Sequence, residues 1–162
     1  MNIQATTFNC GIGELLQSND LPVLDIETGT EVLLFVAGSA QQPSGVVGIQ
    51  IFGTTALLRS LAVSASERGN GLGAALVQHV EQYALLMGIS SIYLLTTTAA
   101  SFFKLRGYNI ANRADAPASI ASTRQFSSLC PRETLIYSSA ALLAGTIAGS
   151  PSPESAACKK PF

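Results

Sequence analysis

The segment that most restricts the fold of this chain is residues 68–74, Arg-Gly-Asn-Gly-Leu-Gly-Ala, which lies between a strand-like run and a helical one. Three glycines fall within five residues, and glycine lets the backbone reach positive φ and approach a ligand closely. The helix predicted to follow directs its unpaired N–H groups and the positive end of its dipole toward the loop. The segment is therefore predicted to bind a phosphate or a similar anion.

The flanks of this loop indicate a strand–loop–helix–strand unit. Residues 56–63, before the loop, are apolar and short enough for a buried strand. Over residues 72–87 the apolar positions recur at helical spacing, and Gly88 stands where a helix C-cap belongs. Residues 91–96 are typical of the next strand. This order predicts an α/β fold with a βαβ unit around the loop.

Two common phosphate-binding loops do not match this context. The dinucleotide fingerprint fits Gly69, Gly71 and Ala74 by letter, but it requires the first glycine directly after the strand and an acidic residue at the end of the next strand. Here residues 64–68 intervene, and residues 92–98 contain no acid. The nucleoside-triphosphate loop requires Gly-Lys-Ser or Gly-Lys-Thr, and neither follows.

The order of the motifs resembles the GNAT acyltransferase superfamily from about residue 32 to residue 108. The resemblance rests on Leu-Ala-Val at 61–63, on the R-x-x-G-x-G loop that begins at Arg68, and on Phe-Phe-Lys-Leu-Arg-Gly-Tyr at 102–108. It implies an α/β fold with a mixed, largely antiparallel sheet that is splayed between the fourth and fifth strands and flanked by helices.

A narrower resemblance concerns the strings at 57–63, 93–99 and 126–131, which are similar to the N-acetyltransferases encoded in arsenic-resistance operons. It implies a transferase that uses acetyl-coenzyme A. The amine of a small amino-acid-like acceptor, including an arsenical or phosphinic amino-acid analogue, would attack the thioester directly. The alternative is a non-catalytic module that binds or senses coenzyme A.

The residues expected to bind the cofactor follow from the superfamily resemblance. The main chain of Leu61 and Val63 is expected to contact the thioester and to supply a donor for the oxyanion. Arg68 is expected to add positive charge near the phosphates. The set expected to bind acetyl-coenzyme A is Leu61, Ala62, Val63, Arg68, Gly69, Asn70, Gly71, Leu72, Gly73, Ala74, Phe102 and Phe103.

The sequence offers no evident general acid or base. The superfamily often places a tyrosine where Phe103 stands, and phenylalanine cannot donate a proton. A free thiol has a pKa of about 8.5, so the product thiol can leave largely as the thiolate. The residues that could substitute for the missing tyrosine are Tyr108, Ser127, Ser128 and Cys130, and the sequence favours none of them. His79 falls on the apolar face of its predicted helix, which favours a structural role, and Glu81 is expected to be solvated.

Arg59 is a charged residue within an otherwise apolar strand, and a buried charge is costly unless it is paired. Two interpretations stay open. The structural one is an ion pair with a carboxylate such as Asp115 or an edge position facing water, and the functional one is a fork for the acidic group of the acceptor. The residues expected to bind the acceptor are Arg59, Thr96, Thr97, Arg124, Ser127 and Ser128.

Composition indicates one cytoplasmic domain. The chain has 162 residues, a net charge of −1 and three widely spaced cysteines. The small net charge does not favour a nucleic-acid or membrane partner. The cysteines do not favour a metal site or a disulfide framework. No signal peptide or membrane span is evident. The expected partner is a small-molecule amine. A homodimer with a second copy of the chain is left open.

The domain organisation is predicted from the distribution of these motifs. Residues 1–137 are predicted to form a single GNAT-like acetyltransferase domain, whose first thirty residues look either abbreviated or divergent relative to the superfamily. Residues 138–162 are rich in alanine, serine and proline and form a tail that we expect to be poorly ordered.

Overall fold

The computed structural model describes residues 2–27, 31–96, 98–112, 114 and 116–123, together with the backbone of 135–139. The elements, in chain order, are β1 (Ile3–Thr6), α1 (Cys10–Ser18), α2 (Leu24–Glu27), β2 (Leu33–Gly38), β3 (Pro43–Phe52), β4 (Thr55–Val63), α3 (Leu72–Leu86), β5 (Ser91–Thr96), α4 (Ala100–Leu105), β6 (Tyr108–Ala111), α5 (Ala118–Ala121) and β7 (Leu135–Ser139). A 3-10 turn, Ala65–Glu67, lies between β4 and the glycine loop.

The strands form a single mixed sheet with the order β1-β2-β3-β4-β5-β7-β6. The contact between β4 and β5 is parallel, and the other neighbouring strands are antiparallel. The parallel contact arises because α3 returns the chain to the end of the sheet where β4 began. The predicted α/β fold with a largely antiparallel mixed sheet is thereby confirmed.

The sheet opens between β4 and β5. The two strands pair over four positions, from Thr55 opposite Ser91 to Leu58 opposite Leu94. Beyond Leu58, β4 continues to Val63, while the end of β5 pairs with β7 on its other side. Residues 59–63 of β4 therefore present a strand edge that β5 does not cover. This is the predicted splay.

A β-bulge interrupts β4 at this opening. Val46 lies opposite Ala62 and Gly48 opposite Arg59, so Val47 of β3 faces two residues, Ser60 and Leu61. Ser60 has a φ of 56°, in the left-handed region that few residues other than glycine adopt. The extra residue reverses which side chains of β4 point to each face of the sheet.

Two layers of helices cover the sheet. One face carries α3 and α4, whose apolar side chains pack with Ala56 and Leu58 of β4 before the bulge and with Leu61 and Val63 after it. We call this cluster the α3-side core. The opposite face carries α1 and α2, which pack around Ala62, and α5, whose Ile120 packs on Leu57.

Most predicted elements lie at the expected residues, and three differ. The amino-terminal end is not abbreviated: β1 pairs with β2, and two helices follow it, so that part of the expectation is wrong. Strand β6 was not predicted. The last strand extends to Ser139, two residues into the predicted tail, and the prediction for residues 140–162 lies outside the described residues. Within the described ranges, the helices fall short of the length and apolarity that a membrane span demands.

Candidate active site

The glycine loop joins the 3-10 turn to α3 with two residues in the left-handed region. Gly69 and Gly71 both have a φ of 80°, and Gly71 is the N-cap of α3. The first helical hydrogen bond is donated by the N–H of Ala75 to the carbonyl of Gly71, at 3.0 Å. The preceding N–H groups, from Leu72 to Ala74, have no acceptor within the helix. The loop therefore has the backbone geometry of an anion site.

Arg68, the first residue of this loop, contacts protein groups at the ends of two other elements. Its Nε donates to the carbonyl of Val63 at 3.3 Å, and a terminal nitrogen donates to Oδ1 of Asn19 at 2.9 Å. The side chain is half-buried rather than solvated. Arg68 thereby joins the start of the loop to the end of β4 and to the end of α1.

The open edge of β4 brings together the other residues expected to bind the cofactor. The side chains of Leu61 and Val63 belong to the α3-side core, together with Phe102 and Phe103 of α4. Because these side chains are buried, Leu61 and Val63 can offer a ligand only their main chain. The two phenylalanine rings meet edge to face, with centroids 5.0 Å apart. They lie in the same apolar cluster as the side chains of Leu61 and Val63.

Tyr108 is held away from proton transfer by its partners. The side chain is 2% exposed, and its hydroxyl donates to Glu81 at 3.0 Å. The other carboxylate oxygen of Glu81 accepts from Arg106 at 3.1 Å. Burial and, after it, the Glu81 charge raise the pKa of Tyr108 well above its ordinary value of 10.0. Glu81 is thus a structural partner, which differs from the expectation that it is solvated.

His79 takes the structural position that its place on the helix predicted. Its ring meets Phe35 of β2 edge to face, with centroids 4.8 Å apart. Phe35 also contacts Tyr83, one turn further along α3. The histidine is therefore part of the packing between α3 and the sheet, on the face that carries the α3-side core.

Arg59 lies at the point where β4 leaves β5. The residue is 3% exposed, and its Nε is 3.4 Å from the hydroxyl oxygen of Ser60. It alternates with Leu58, so it points to the face opposite α3. Asp115, the carboxylate considered as its partner, lies outside the described residues.

Gln50 of β3 is a polar residue that the sequence interpretation did not select. It lies opposite Leu57, and Gly48 lies opposite Arg59, so Gln50 and Arg59 are diagonal neighbours on one face of the sheet. Within the described residues, its side-chain carbonyl Oε1 is buried without a hydrogen-bond partner. In the sequence Gln50 is only an uncharged polar residue within a largely apolar strand, which is a weaker signal than the charge of Arg59.

The remaining acceptor residues are only partly described. Oγ1 of Thr96 accepts the N–H of Ala99 at 2.9 Å, which fixes the turn from β5 into α4. Thr97, Arg124, Ser127 and Ser128 lie outside the described residues. No group of three or more His, Cys, Asp or Glu side chains among the residues described could hold a metal ion.

Known structures share this fold. A GNAT-family acetyltransferase from Staphylococcus aureus Mu50 is 18% identical, with a TM-score of 0.66 over 85% of this chain and 98% of its own. An IAA acetyltransferase from Bacillus cereus ATCC 14579 is 18% identical, with a TM-score of 0.63 over 85% of this chain and 97% of its own. At these identities the likeness concerns the fold alone.

A third structure is longer. The N-acetylglutamate synthase from Neisseria gonorrhoeae, complexed with coenzyme A and N-acetyl-glutamate, is 18% identical and has a TM-score of 0.64. The match covers 86% of this chain but 35% of the synthase, so the chain spans about a third of that protein. Comparison with curated proteins finds no match.

The model of one protein family matches residues 7–108, which is more than half of the chain. These residues include β4 with its open edge, the glycine loop, α3 and α4. The chain therefore belongs to the Acetyltransferase (GNAT) family.

Proposed function

We propose that this protein is an acetyl-coenzyme A-dependent N-acetyltransferase whose acceptor is a small amino-acid-like amine. The observation that carries the proposal is the uncovered edge of β4, residues 59–63, which leads into the glycine loop. The family supplies the reaction class. Coenzyme A is the ligand of the gonococcal synthase, and we extend it to this chain.

The loop suits the pyrophosphate of coenzyme A. Gly69 and Gly71 turn the backbone so that the first N–H groups of α3 have no helical acceptor. A methyl group built on Gly69 would meet no atom within 4 Å, so the space beside this glycine is open. We assign the phosphates to these N–H groups, and the positive end of the α3 dipole favours their charge.

The main chain of β4 supports the proposed handling of the thioester. Coenzyme A supplies the acetyl group in that activated form. In residues 59–63 the edge toward β5 is uncovered, and an uncovered strand edge can pair with an extended ligand through main-chain hydrogen bonds. We assign the oxyanion donor to an N–H between Leu61 and Val63, directly after the bulge that interrupts the ladder with β3.

The available proton donors favour direct attack by an amine that loses its proton to water. Phe103 is 3% exposed and has no ionisable group. The hydroxyl of Tyr108 is committed to Glu81, and its raised pKa makes it a poor acid near neutral pH. The departing thiol, with a pKa of about 8.5, can leave without a dedicated acid.

The acceptor class follows from two polar side chains on the face opposite α3. Arg59 can bind an acidic group, and the unpartnered carbonyl of Gln50 can accept from an ammonium or amine. Together they suit a molecule that carries both an acid and an amine. The arsenic-operon resemblance extends the proposed acceptors to amino acids with a second acidic group, including phosphinic and arsenical analogues.

The test is thiol release from acetyl-coenzyme A with a panel of amino acids and their phosphinic and arsenical analogues, with the product identified by mass spectrometry. We expect turnover with acceptors that carry a second acidic group and acetylation at nitrogen. Simple amines that lack an acid serve as the control panel. Acetylation at an oxygen or a thiol would contradict the proposed chemistry.

A second candidate, a module that binds coenzyme A without transferring the acetyl group, is favoured by the apolar burial of Phe103. It predicts binding of coenzyme A by calorimetry together with no turnover on any acceptor. NAD is the control ligand, because binding of NAD in place of coenzyme A would contradict both candidates. We further propose that the protein is cytoplasmic. The homodimer that the sequence leaves open is tested by light scattering of the purified protein.

A further inference from the structure

We infer that Asn19 is a positioning residue for the coenzyme A loop and that it acts through Arg68. The inference rests on the proposed function, because it assigns the loop to coenzyme A. Asn19 is 5% exposed and is one of three buried polar residues, with Arg59 and Ser60, among those described. It lies at the end of α1, 49 residues before Arg68, whose terminal nitrogen donates to its Oδ1 at 2.9 Å.

The end of α1 fixes the position of Asn19. The N–H of Asp20 donates to the carbonyl of Gln17, and the N–H of Leu21 donates to that of Leu16, both at 3.0 Å. Asp20 has a φ of 56°. This is a Schellman motif, in which a left-handed residue after the C-cap closes the helix. Asn19 is the C-cap and is held by backbone bonds on both of its sides.

The two ends of the Asn19 amide have different partners. Nδ2 donates to the carbonyl of Leu15 at 2.8 Å, within α1. Because a carbonyl oxygen can only accept, this bond requires the nitrogen on the α1 side and leaves Oδ1 for the guanidinium of Arg68. The amide thus presents one oriented acceptor to Arg68.

Arg68 transmits this position to the loop. Its Nε donates to the carbonyl of Val63, so the guanidinium joins α1, the end of β4 and the first residue of the loop. Gly69 follows directly, and glycine loses more backbone entropy on ordering than any other residue. A loop whose first residue is already anchored loses less freedom when the ligand binds, and therefore binds it more tightly.

The competing explanation is that Arg68 itself contacts the phosphates, as the sequence predicted. The two explanations differ in how Asn19 and Arg68 combine. If Arg68 acts through Asn19, removing either side chain breaks the same contact, and the double variant is little worse than each single one. If Arg68 binds the phosphates directly and without the help of Asn19, Arg68→Ala alone weakens binding, and Asn19→Ala leaves the Kd at the wild-type value.

The first measurement is the Kd of coenzyme A, by calorimetry, for wild type, Asn19→Ala, Arg68→Ala and the double variant. We expect each single variant to bind about tenfold more weakly, the effect of one hydrogen bond to a charged group, and the double variant to match them. A double variant that binds about a hundredfold more weakly overturns the inference.

Two further variants separate positioning from general damage to α1. Asn9→Ala removes the N-cap of the same helix, at the opposite end of α1 from Asn19, where Oδ1 of Asn9 accepts from the N–H of Ile12 at 3.0 Å. Asn19→Asp retains an oxygen for Arg68 and loses the donor to Leu15. We expect both to lower the melting temperature and to leave the Kd within about twofold of wild type.

The outcomes distinguish this inference from the proposed function. If Asn19→Asp binds coenzyme A as weakly as Asn19→Ala, Asn19 acts by capping α1, and the inference fails while the acetyltransferase stands. Equal Kd values for Asn19→Ala and wild type would likewise overturn the inference alone. If the wild type binds no coenzyme A, both fail, and that result is visible before any variant is made.

Discussion

Arg59 and Gln50 lie side by side on the sheet face that carries α1, each in a strand whose other side chains are mostly apolar. A buried polar group costs free energy unless it has a partner, so such residues are retained where a ligand or a specific contact uses them. For Arg59 the sequence was sufficient to select the residue, because a charge within an apolar strand is visible without a structure. It could not select Gln50, because the lack of a partner depends on packing.

For Arg59 we expect Arg59→Met to raise the KM for the acceptor by about tenfold or more, the effect of losing a hydrogen bond to a charged group. The KM for acetyl-coenzyme A should stay within about twofold, because the loop is unchanged. Methionine retains much of the buried volume. Steady-state kinetics with each substrate varied in turn makes the comparison. An unchanged acceptor KM with a lower free energy of unfolding would support the ion-pair interpretation.

For Gln50 we expect Gln50→Met to have opposite effects on stability and function. Removal of an unpartnered buried carbonyl should raise the free energy of unfolding by about 1 kcal/mol, while the acceptor KM rises. Chemical denaturation and steady-state kinetics measure the two quantities. Gln78→Met, at an exposed position of α3, is the control and should alter neither. A more stable variant with an unchanged acceptor KM would exclude Gln50 from the site.

At the scale of elements, hydrophobic patterning predicted the central unit of the fold and failed where the pattern is weak. Strand β5 lies at the predicted residues, and Gly88, with a φ of 76°, ends α3 as expected. Strand β6 has the four residues Tyr-Asn-Ile-Ala, too few for a period to show. The bulge in β4 could not be predicted, because a register shift is a property of two strands and Ser60 is not a typical left-handed residue.

The glycine loop gives the prediction that belongs to this scale. Gly69→Ala places a side chain at a φ of 80° but in open space, so backbone strain of about 1–2 kcal/mol is its only direct cost. Gly53→Ala does the same at a φ of 62° in the turn between β3 and β4. We expect similar losses of unfolding free energy from both variants and weaker coenzyme A binding from Gly69→Ala alone. Equal binding by both variants would argue against this loop as the phosphate site.

For the whole molecule, the contacts that organise the site join residues far apart in the chain. Arg68 reaches Asn19 across 49 residues, and Tyr108 reaches Glu81 across 27. Nothing in local composition marks such pairs, so the sequence identified Arg68 by its motif without its partner, and Glu81 was expected to be solvated. Family resemblance supplied the topology, including the splay, which patterning alone does not contain.

Alkaline stability tests the Tyr108 contact. An unfolded chain ionises this phenol near pH 10.0, whereas the folded protein, with its raised pKa, keeps it protonated. The native state then binds more protons above pH 10, so its stability falls as pH rises, and below pH 10 the residue contributes no pH dependence. We expect Tyr108→Phe to lose about 1 kcal/mol at neutral pH and to decline less steeply above pH 10.

Denaturation curves between about pH 7 and pH 11 provide the measurement, with Tyr83→Phe as the control. Tyr83 of α3 is half-buried against Phe35. Tyr83→Phe therefore also removes one phenol hydroxyl, but it keeps the contact between Tyr108 and Glu81. We expect this control to follow the wild-type slope at alkaline pH. Parallel slopes for wild type and Tyr108→Phe would mean that the phenol of Tyr108 ionises in the folded protein.

The bulge at Ser60 and Leu61 divides β4 into two halves with opposite side-chain alternation. Before it, the even-numbered side chains Ala56 and Leu58 face α3; after it, the odd-numbered Leu61 and Val63 do. Deleting Ser60 would therefore pair Val47 with Leu61 alone and give a regular ladder, in which Ala56, Leu58, Leu61 and Val63 would all still face α3. A strand one residue shorter would thus keep the α3-side core and lose only the bulge, so the change would fall on the main chain at the open edge and not on the packing beneath it.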